Sequence, residues 1–237
     1  MSNKNHPLDI LPLKQHKTNK NHKIPYPLPN IELGGFCWLF IAPTASGKTV
    51  NLQNVLHNPN FGMKETFDEI IYISPTLNHD PSMRFMKDMD EIVKISDKDS
   101  IDNIDDVINS LKDEQDKKGS DKKPILIILD DMATHLNNHG VINQLPQLSR
   151  HYMMSFIITF QTFANVPIKV RKNLSAITIF RIYNKKDKDL IEEEIGSEFQ
   201  DYEKLYNEAT KEKFNFLYLN MRDISAWHNY TELLWKK

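Results

Sequence analysis

The chain has 237 residues, a net charge of -2 and 40% hydrophobic residues, so it can bury roughly 70–75% of its unfolded surface in one α/β core without disulfide or metal staples. Its single cysteine, Cys37, excludes an intrachain disulfide framework or thiolate metal site and fits reducing, intracellular chemistry. Without an apolar run of about eighteen residues or a signal-peptide apolar region, no membrane span is expected.

The first thirty residues form the first predicted element, a basic arm. They carry Lys4, Lys14, Lys17, Lys20 and Lys23 against Asp9 and are punctuated by prolines. Such an arm either lies against the domain or is loose, and it can touch nucleic acid. The predicted P-loop domain covers residues 31–237. Its first strand is the run Phe36-Cys37-Trp38-Leu39-Phe40-Ile41, which makes Cys37 a buried structural thiol. The strand runs into Ala42-Pro43-Thr44-Ala45-Ser46-Gly47-Lys48-Thr49 and then a helix over Val50–Leu56. Strand, small-residue loop and helix are what an anion site requires, because the helix start presents free N–H groups.

Further along, Phe67–Ile73 reads as a strand and 80–95 as an amphipathic helix, with Met83, Phe85, Met86, Met89, Ile92 and Val93 as its apolar stripe. Ile101–Leu111 has helical spacing, and 112–123 reads as a solvated loop. Pro124–Leu129 is apolar on both faces, as a strand inside a parallel sheet should be. Met154–Phe160 and Leu174–Ile182 are two more strands, and Lys188–Ile195 and Phe199–Ala209 two helices. Phe214–Leu219 and Ile224–Trp227 predict a closing hairpin across Asn220–Asp223. Strands alternating with helices give an α/β fold with a mostly parallel sheet flanked by helices.

The chemistry gathers at strand ends. The loop matches the phosphate-binding pattern of Gly, four residues, Gly-Lys-Ser/Thr, except that Ala42 stands at the first glycine. In that pattern the backbone of 43–49 cradles the phosphates, Lys48 supplies a cation to them, and the Thr49 hydroxyl binds Mg²⁺. Asp130 and Asp131 directly follow an apolar strand, at the end where α/β sheets bind ligands. Asp130 is expected to hold the Mg²⁺, directly or through water, and Asp131 to polarise the attacking water. Two adjacent acids can also simply cap a helix. Gln161 follows its own buried strand and can touch the γ-phosphate or orient water; its bland alternative is a hydrogen bond at a helix start. No Asn-Lys-x-Asp motif marks a GTPase. These features predict a Mg-dependent ATPase.

Together, Ala-Pro-Thr-Ala-Ser-Gly-Lys-Thr (42–49), Ile-Tyr-Ile-Ser-Pro-Thr (71–76), Ile-Leu-Ile-Ile-Leu-Asp-Asp-Met (125–132), Arg-His-Tyr-Met-Met-Ser-Phe-Ile-Ile-Thr-Phe-Gln (150–161) and Val-Arg-Lys-Asn-Leu-Ser (170–175) before Ile-Thr-Ile-Phe-Arg (177–181) resemble the poxvirus-type genome-packaging ATPases of the FtsK–HerA P-loop superfamily. The resemblance covers residues 33–227 and implies a homo-oligomeric ring, a pentamer or hexamer, that drives viral double-stranded DNA into preformed capsids. It implies capsid or portal-vertex partners and a place in the host cytoplasm or viral assembly site. It assigns Lys48 and Thr49 to phosphate and Mg²⁺, Asp130 to the metal, Asp131 to the acid–base role usually held by glutamate, and Gln161 to sensing. It also implies an arginine donated across the subunit boundary. The candidates are Arg150, at the far end of its strand from Gln161, and Arg171, which can instead contact DNA or hold its loop. The rival readings are a helicase or DNA-transfer ATPase of the same superfamily, a small-molecule kinase and a nucleotide-binding assembly scaffold. A kinase needs an arginine-rich lid, and 185–195 offers Lys185, Lys186 and Lys188 but no arginine.

Overall fold

The computed structural model describes residues 23–32, 34–79, 89–136 and 140–237. A nine-stranded sheet runs through it in the order β3-β2-β4-β5-β1-β6-β7-β8-β9. The strands are β1 Cys37–Ile41, β2 Glu69–Ile73, β3 Ile92–Ile95, β4 Ile125–Leu129, β5 Met154–Phe160, β6 Ala176–Phe180, β7 Phe216–Asn220, β8 Ser225–His228 and β9 Glu232–Lys236. The first six are mutually parallel, whereas β7, β8 and β9 continue the sheet antiparallel.

The parallel strands are buried on both faces, as their unbroken apolar sequences require. Every residue of β1, β4, β5 and β6 is buried. The helices of eight or more residues among the described ones are α1 Lys48–His57, α2 Ile104–Lys117, α3 Leu145–Tyr152, α4 Lys185–Glu194 and α5 Tyr202–Ala209. One core lies on the face covered by α2, α3, α4 and α5 and holds Leu39, Ile127 and Ile158. The other lies under α1 and holds Trp38, Phe40 and Ile157. Burial pushes the Cys37 thiol up to about 12, so it stays protonated and inert.

Residues 23–32 pack on the domain. Ile24, Leu28 and Ile31 are buried in the core under α1, and the Pro27 carbonyl accepts from the Tyr218 hydroxyl at 2.9 Å and the Asn220 amide at 2.8 Å. Arg222 donates to the carbonyls of Asn30 and Gly35 and clamps the same segment. Lys4, Lys14, Lys17 and Lys20 of the predicted arm lie outside the described residues.

Two expectations are corrected and a third is extended. The helix predicted over 80–95 has its first part outside the described residues, and Ile92–Ile95 is strand β3, parallel to β2. Ile92 is buried and Val93 exposed, and four residues at a sheet edge are too few to show a period beside the methionine-rich stripe. The loop predicted over 112–123 is helix as far as Lys117. Gln115 explains the difference: it is buried, its side-chain amide donates to the Lys123 carbonyl at 2.6 Å, and its side-chain oxygen accepts from the Lys123 N–H. The polar run thus has an inward-facing anchor. Finally, the predicted hairpin exists as β7 and β8, but β9 extends it.

Candidate active site

β4, β5 and β1 are neighbours in the sheet, so the residues following them share one edge. The β1–β5 register pairs Ile41 with Phe160, and the β4–β5 register pairs Leu129 with Ile158. The phosphate-loop sequence, the two aspartates and Gln161 are therefore brought together, with β5 in the middle. One cavity of about 480 Å³ is lined by residues 42–50, Asp131, Gln161, Lys213 and Phe214. All of the predicted loop residues, Pro43, Thr44, Ala45, Ser46, Gly47, Lys48 and Thr49, lie on it.

The loop geometry follows from its sequence. Gly47 caps α1 at φ 101°, a left-handed conformation natural to glycine. Ala45 is left-handed as well, at φ 61°, while Ala42 does not have a positive φ and is buried in the core under α1. Position 42 thus accommodates alanine where the motif has glycine. No side chain caps α1 and no acid stands in its first turn, so the helix start is open to an anion. The Ser46 hydroxyl, buried in the cavity wall, has no hydrogen-bond partner among the described residues.

The adjacent acids point differently. Asp130 is buried behind the cavity. One of its oxygens accepts from the Thr159 hydroxyl at 2.7 Å and from Lys48 Nζ at 2.8 Å, and the other from the Tyr72 hydroxyl at 2.6 Å. At Asp131 the chain turns left-handed, φ 54°, which aspartate tolerates better than most residues. Its N–H donates to Thr159 Oγ1 at 3.1 Å, and its carboxylate faces the cavity and pairs with Lys48. Burial lowers the Lys48 pKa, but Asp130 and Asp131 outweigh burial and hold the ammonium above the ordinary lysine range. Lys48 is thus a fixed cation beside the open helix start.

The side chains fit a magnesium ion that arrives with phosphates. Such an ion takes one or two carboxylates and leaves its other positions to water and phosphate oxygens, and the cavity offers the Thr49 hydroxyl and the Asp131 carboxylate. Asp130 already accepts from three donors, so a role at the metal needs water between them or release of Lys48.

The two arginines differ in setting. Arg150 is exposed near the end of α3, beyond the start of β5, and Gln161 follows the other end of that strand. Seven strand residues separate the two ends by about 20 Å. Arg171 has a mostly buried side chain, pairs with Glu194 of α4 and lies 5.1 Å over the Phe163 ring.

Sequence reading missed Thr159, Tyr72, Lys213 and Phe214. Thr159 left a trace, since it is a polar residue inside the apolar run 154–160. Lys213 and Phe214 arrive from the far end of the chain and left none.

The family comparison matches residues 30–198, more than half of the chain, to the model described as Poxvirus A32 protein. No curated protein sequence matches. Among solved structures, the genome packaging NTPase B204 of Sulfolobus turreted icosahedral virus 2, in complex with AMP, is similar with a TM-score of 0.62 and 16% identity, over 81% of this chain and 95% of that one. Its complex with ATP-gammaS gives 0.60 and 16%, over 84% and 98%. The pCW3 conjugation coupling protein TcpA, with ATPgS, gives 0.58 and 15%, over 84% of this chain but 62% of TcpA. These likenesses establish a shared P-loop NTPase fold. With the family match over 30–198 and the strand-end site in place, the chain belongs to the poxvirus A32 protein family.

Proposed function

We propose that this protein is a Mg-dependent ATPase motor that packages viral double-stranded DNA into preformed capsids, acting as a homo-oligomeric ring. The observation that carries the reading is Lys48, held beside the open start of α1 by acids from the end of β4. A triphosphate entering the loop offers Lys48 oxygens in place of carboxylates, so binding and release of the acids are coupled. Thr49 would hold Mg²⁺ directly and Asp130 through water, leaving Asp131 to the attacking water; the ion would neutralise charge on the transferring phosphoryl group.

The chain's residues have separate tasks in this scheme. The N–H groups of 43–49 orient the phosphates, Lys48 stabilises charge, Asp131 takes the proton of the attacking water, and Gln161 positions that water. Asp130 and Thr159 fix Lys48 and the Asp131 backbone. Arg150 completes a neighbour's site. Arg171, paired with Glu194, holds its own loop against α4.

Membership of the A32 family and likeness to the packaging NTPase B204 support the packaging reading. Capsid or portal-vertex proteins would be the partners, and the host cytoplasm or the viral assembly site the location. Likeness to the conjugation coupling protein TcpA favours DNA transfer as the second reading. The test is phosphate release from Mg-ATP by an oligomeric preparation, with and without duplex DNA, at several salt concentrations. The expected result is stimulation by duplex DNA that declines steeply with salt, because phosphate contacts release counterions. A rate indifferent to duplex DNA at low salt would remove the motor reading, and absence of ATP hydrolysis would remove the enzyme.

A further inference from the structure

A second cavity, of about 530 Å³, adjoins the phosphate cavity and shares Gly47, Val50 and Phe214 with it. It lies between α1 and the antiparallel end of the sheet, and its walls include the rings of Phe61, Phe216 and Tyr230. The rings brace one another: Tyr230 meets Phe61 at 5.6 Å and Phe216 at 4.7 Å between centroids. The volume falls in the range of small-molecule sites, which are mostly apolar with a few placed polar groups.

Its polar lining is asparagine: Asn215 and Asn229 from the antiparallel half, and Asn51 and Asn54 from α1. Asn51 and Asn54 stand three residues apart and so share one helix face. The Asn51 side-chain oxygen accepts from the Tyr230 hydroxyl at 2.7 Å, which leaves its NH₂ as a donor. The Asn54 NH₂ donates to the Val50 carbonyl at 2.9 Å, which leaves its oxygen as an acceptor. Donor and acceptor therefore border an aromatic slot beside the phosphate loop.

Phe214 divides the two cavities. It is 55% exposed and left-handed at φ 72°, a conformation a bulky residue rarely takes and one that gathers at functional sites. Its ring stands against Gly47, where an added Cβ would lie 3.2 Å from Phe214 Cδ1. Its neighbour Lys213 lines the phosphate cavity and places Nζ 4.7 Å from the centre of the Phe214 ring. Consecutive residues thus present a cation to one cavity and an aromatic face to the next.

We infer that this second cavity binds the purine base of the nucleoside triphosphate, with Phe214 against the base and the carboxamides of Asn51 and Asn54 on its polar edge. The inference rests on the proposed nucleotide binding. Its chemistry is stacking on aromatic side chains plus hydrogen bonds to an edge carrying both donors and acceptors, which purines provide. A pyrimidine covers less of the slot and binds more weakly.

The test separates base from phosphates. Equilibrium binding of ATP, CTP and inorganic tripolyphosphate is measured in the full chain and in Asn54→Trp, Phe214→Ala and Lys48→Ala. Asn54 is exposed on α1, so tryptophan there fills the slot without disturbing the core. The expected result is ATP binding at least tenfold tighter than CTP, an ATP affinity lowered at least tenfold in Asn54→Trp and Phe214→Ala, and tripolyphosphate affinity unchanged in both. Unchanged tripolyphosphate binding also shows that these variants are folded, while Lys48→Ala weakens all three ligands. Equal affinity for ATP, CTP and tripolyphosphate, or ATP affinity untouched by both slot variants, would overturn the base site and leave phosphate binding intact. Failure of the wild-type chain to bind any of the three would overturn both.

Discussion

In the parallel half of the sheet, β1, β4 and β5 each end in residues that face or back the phosphate cavity. Among the described residues, the antiparallel half reaches the same cavity only through Lys213 and Phe214, in the loop before β7. The first arrangement fixes charges by backbone and buried hydrogen bonds: Asp130 is tied to Tyr72, Thr159 and Lys48. The second lays exposed side chains over the opening from a strained turn. Parallel strand ends are suited to chemistry because helix starts and carboxylates converge there. A loop from the sheet's other half is suited to selectivity, since its side chains can change without disturbing the phosphate cradle.

One lysine from each half separates these two arrangements most directly. Lys48→Ala should bring ATP hydrolysis to background, because in the proposed mechanism that ammonium serves binding and the transition state together. Lys213→Ala should cost only a few fold, since its charge reaches the cavity from an exposed loop. Steady-state phosphate release measures both. If Lys213→Ala proved as damaging as Lys48→Ala, the antiparallel half would share the chemistry.

A third region enters through Arg150, at the opposite end of β5 from Gln161. A finger arginine given to a neighbour accounts for about 10³–10⁵ in rate in other P-loop enzymes, so Arg150→Ala should lose about 10³-fold in assembled rings. Mixing Arg150→Ala with Lys48→Ala subunits should restore part of the hydrolysis, because an intact Lys48 can then face an intact Arg150. Normal turnover by rings made only of Arg150→Ala would end this assignment.

Within the parallel half, the two acids sharpen the contrast between supporting and acting residues. Asp131→Asn should keep nucleotide bound while turnover falls by about 10²-fold or more, the scale of a lost general base. Asp130→Asn should lose Mg²⁺-dependent binding, and also stability. Its new amide would turn donors toward Thr159, Tyr72 or Lys48, and a buried group left without its partner costs about 1–3 kcal/mol. Denaturant unfolding alongside Mg²⁺-dependent nucleotide titration distinguishes the variants. Equal loss of stability in both would mean that the acids have the same role.

How legible each region was in the sequence follows the same division. The parallel strands announce themselves because a segment buried on both faces is apolar throughout, and the residue after such a run falls at the site by topology. Asp130, Asp131 and Gln161 were picked out in this way, and Lys48 by the Gly-Lys-Thr pattern in the loop after its own strand. β3 was hidden because four residues at a sheet edge do not show their period. The length of α2 was hidden because its last inward residue is Gln115, which carries no hydrophobic signal. Phe214 was hidden for a different reason: it reads as the first residue of the strand Phe214–Leu219, whereas β7 begins at Phe216, and only the tertiary fold places it against Gly47, 167 positions earlier in the chain.

That contact is where the two halves meet, and it yields the smallest expected effect. Gly47→Ala should destabilise the protein for two separable reasons. The left-handed backbone costs an L-residue about 1–2 kcal/mol, and the new Cβ presses on the Phe214 ring at 3.2 Å. The second part is small, because a ring more than half exposed can move aside. Phe214→Ala removes the pressing contact and leaves the backbone cost. In a double-mutant cycle followed by denaturant unfolding, the double variant should therefore be more stable than the sum of the single effects predicts, by about 0.5 kcal/mol, the low end for residues in contact. A strictly additive cycle would mean that the loop before β7 does not bear on the phosphate loop. The antiparallel half would then lie beside the site without shaping it.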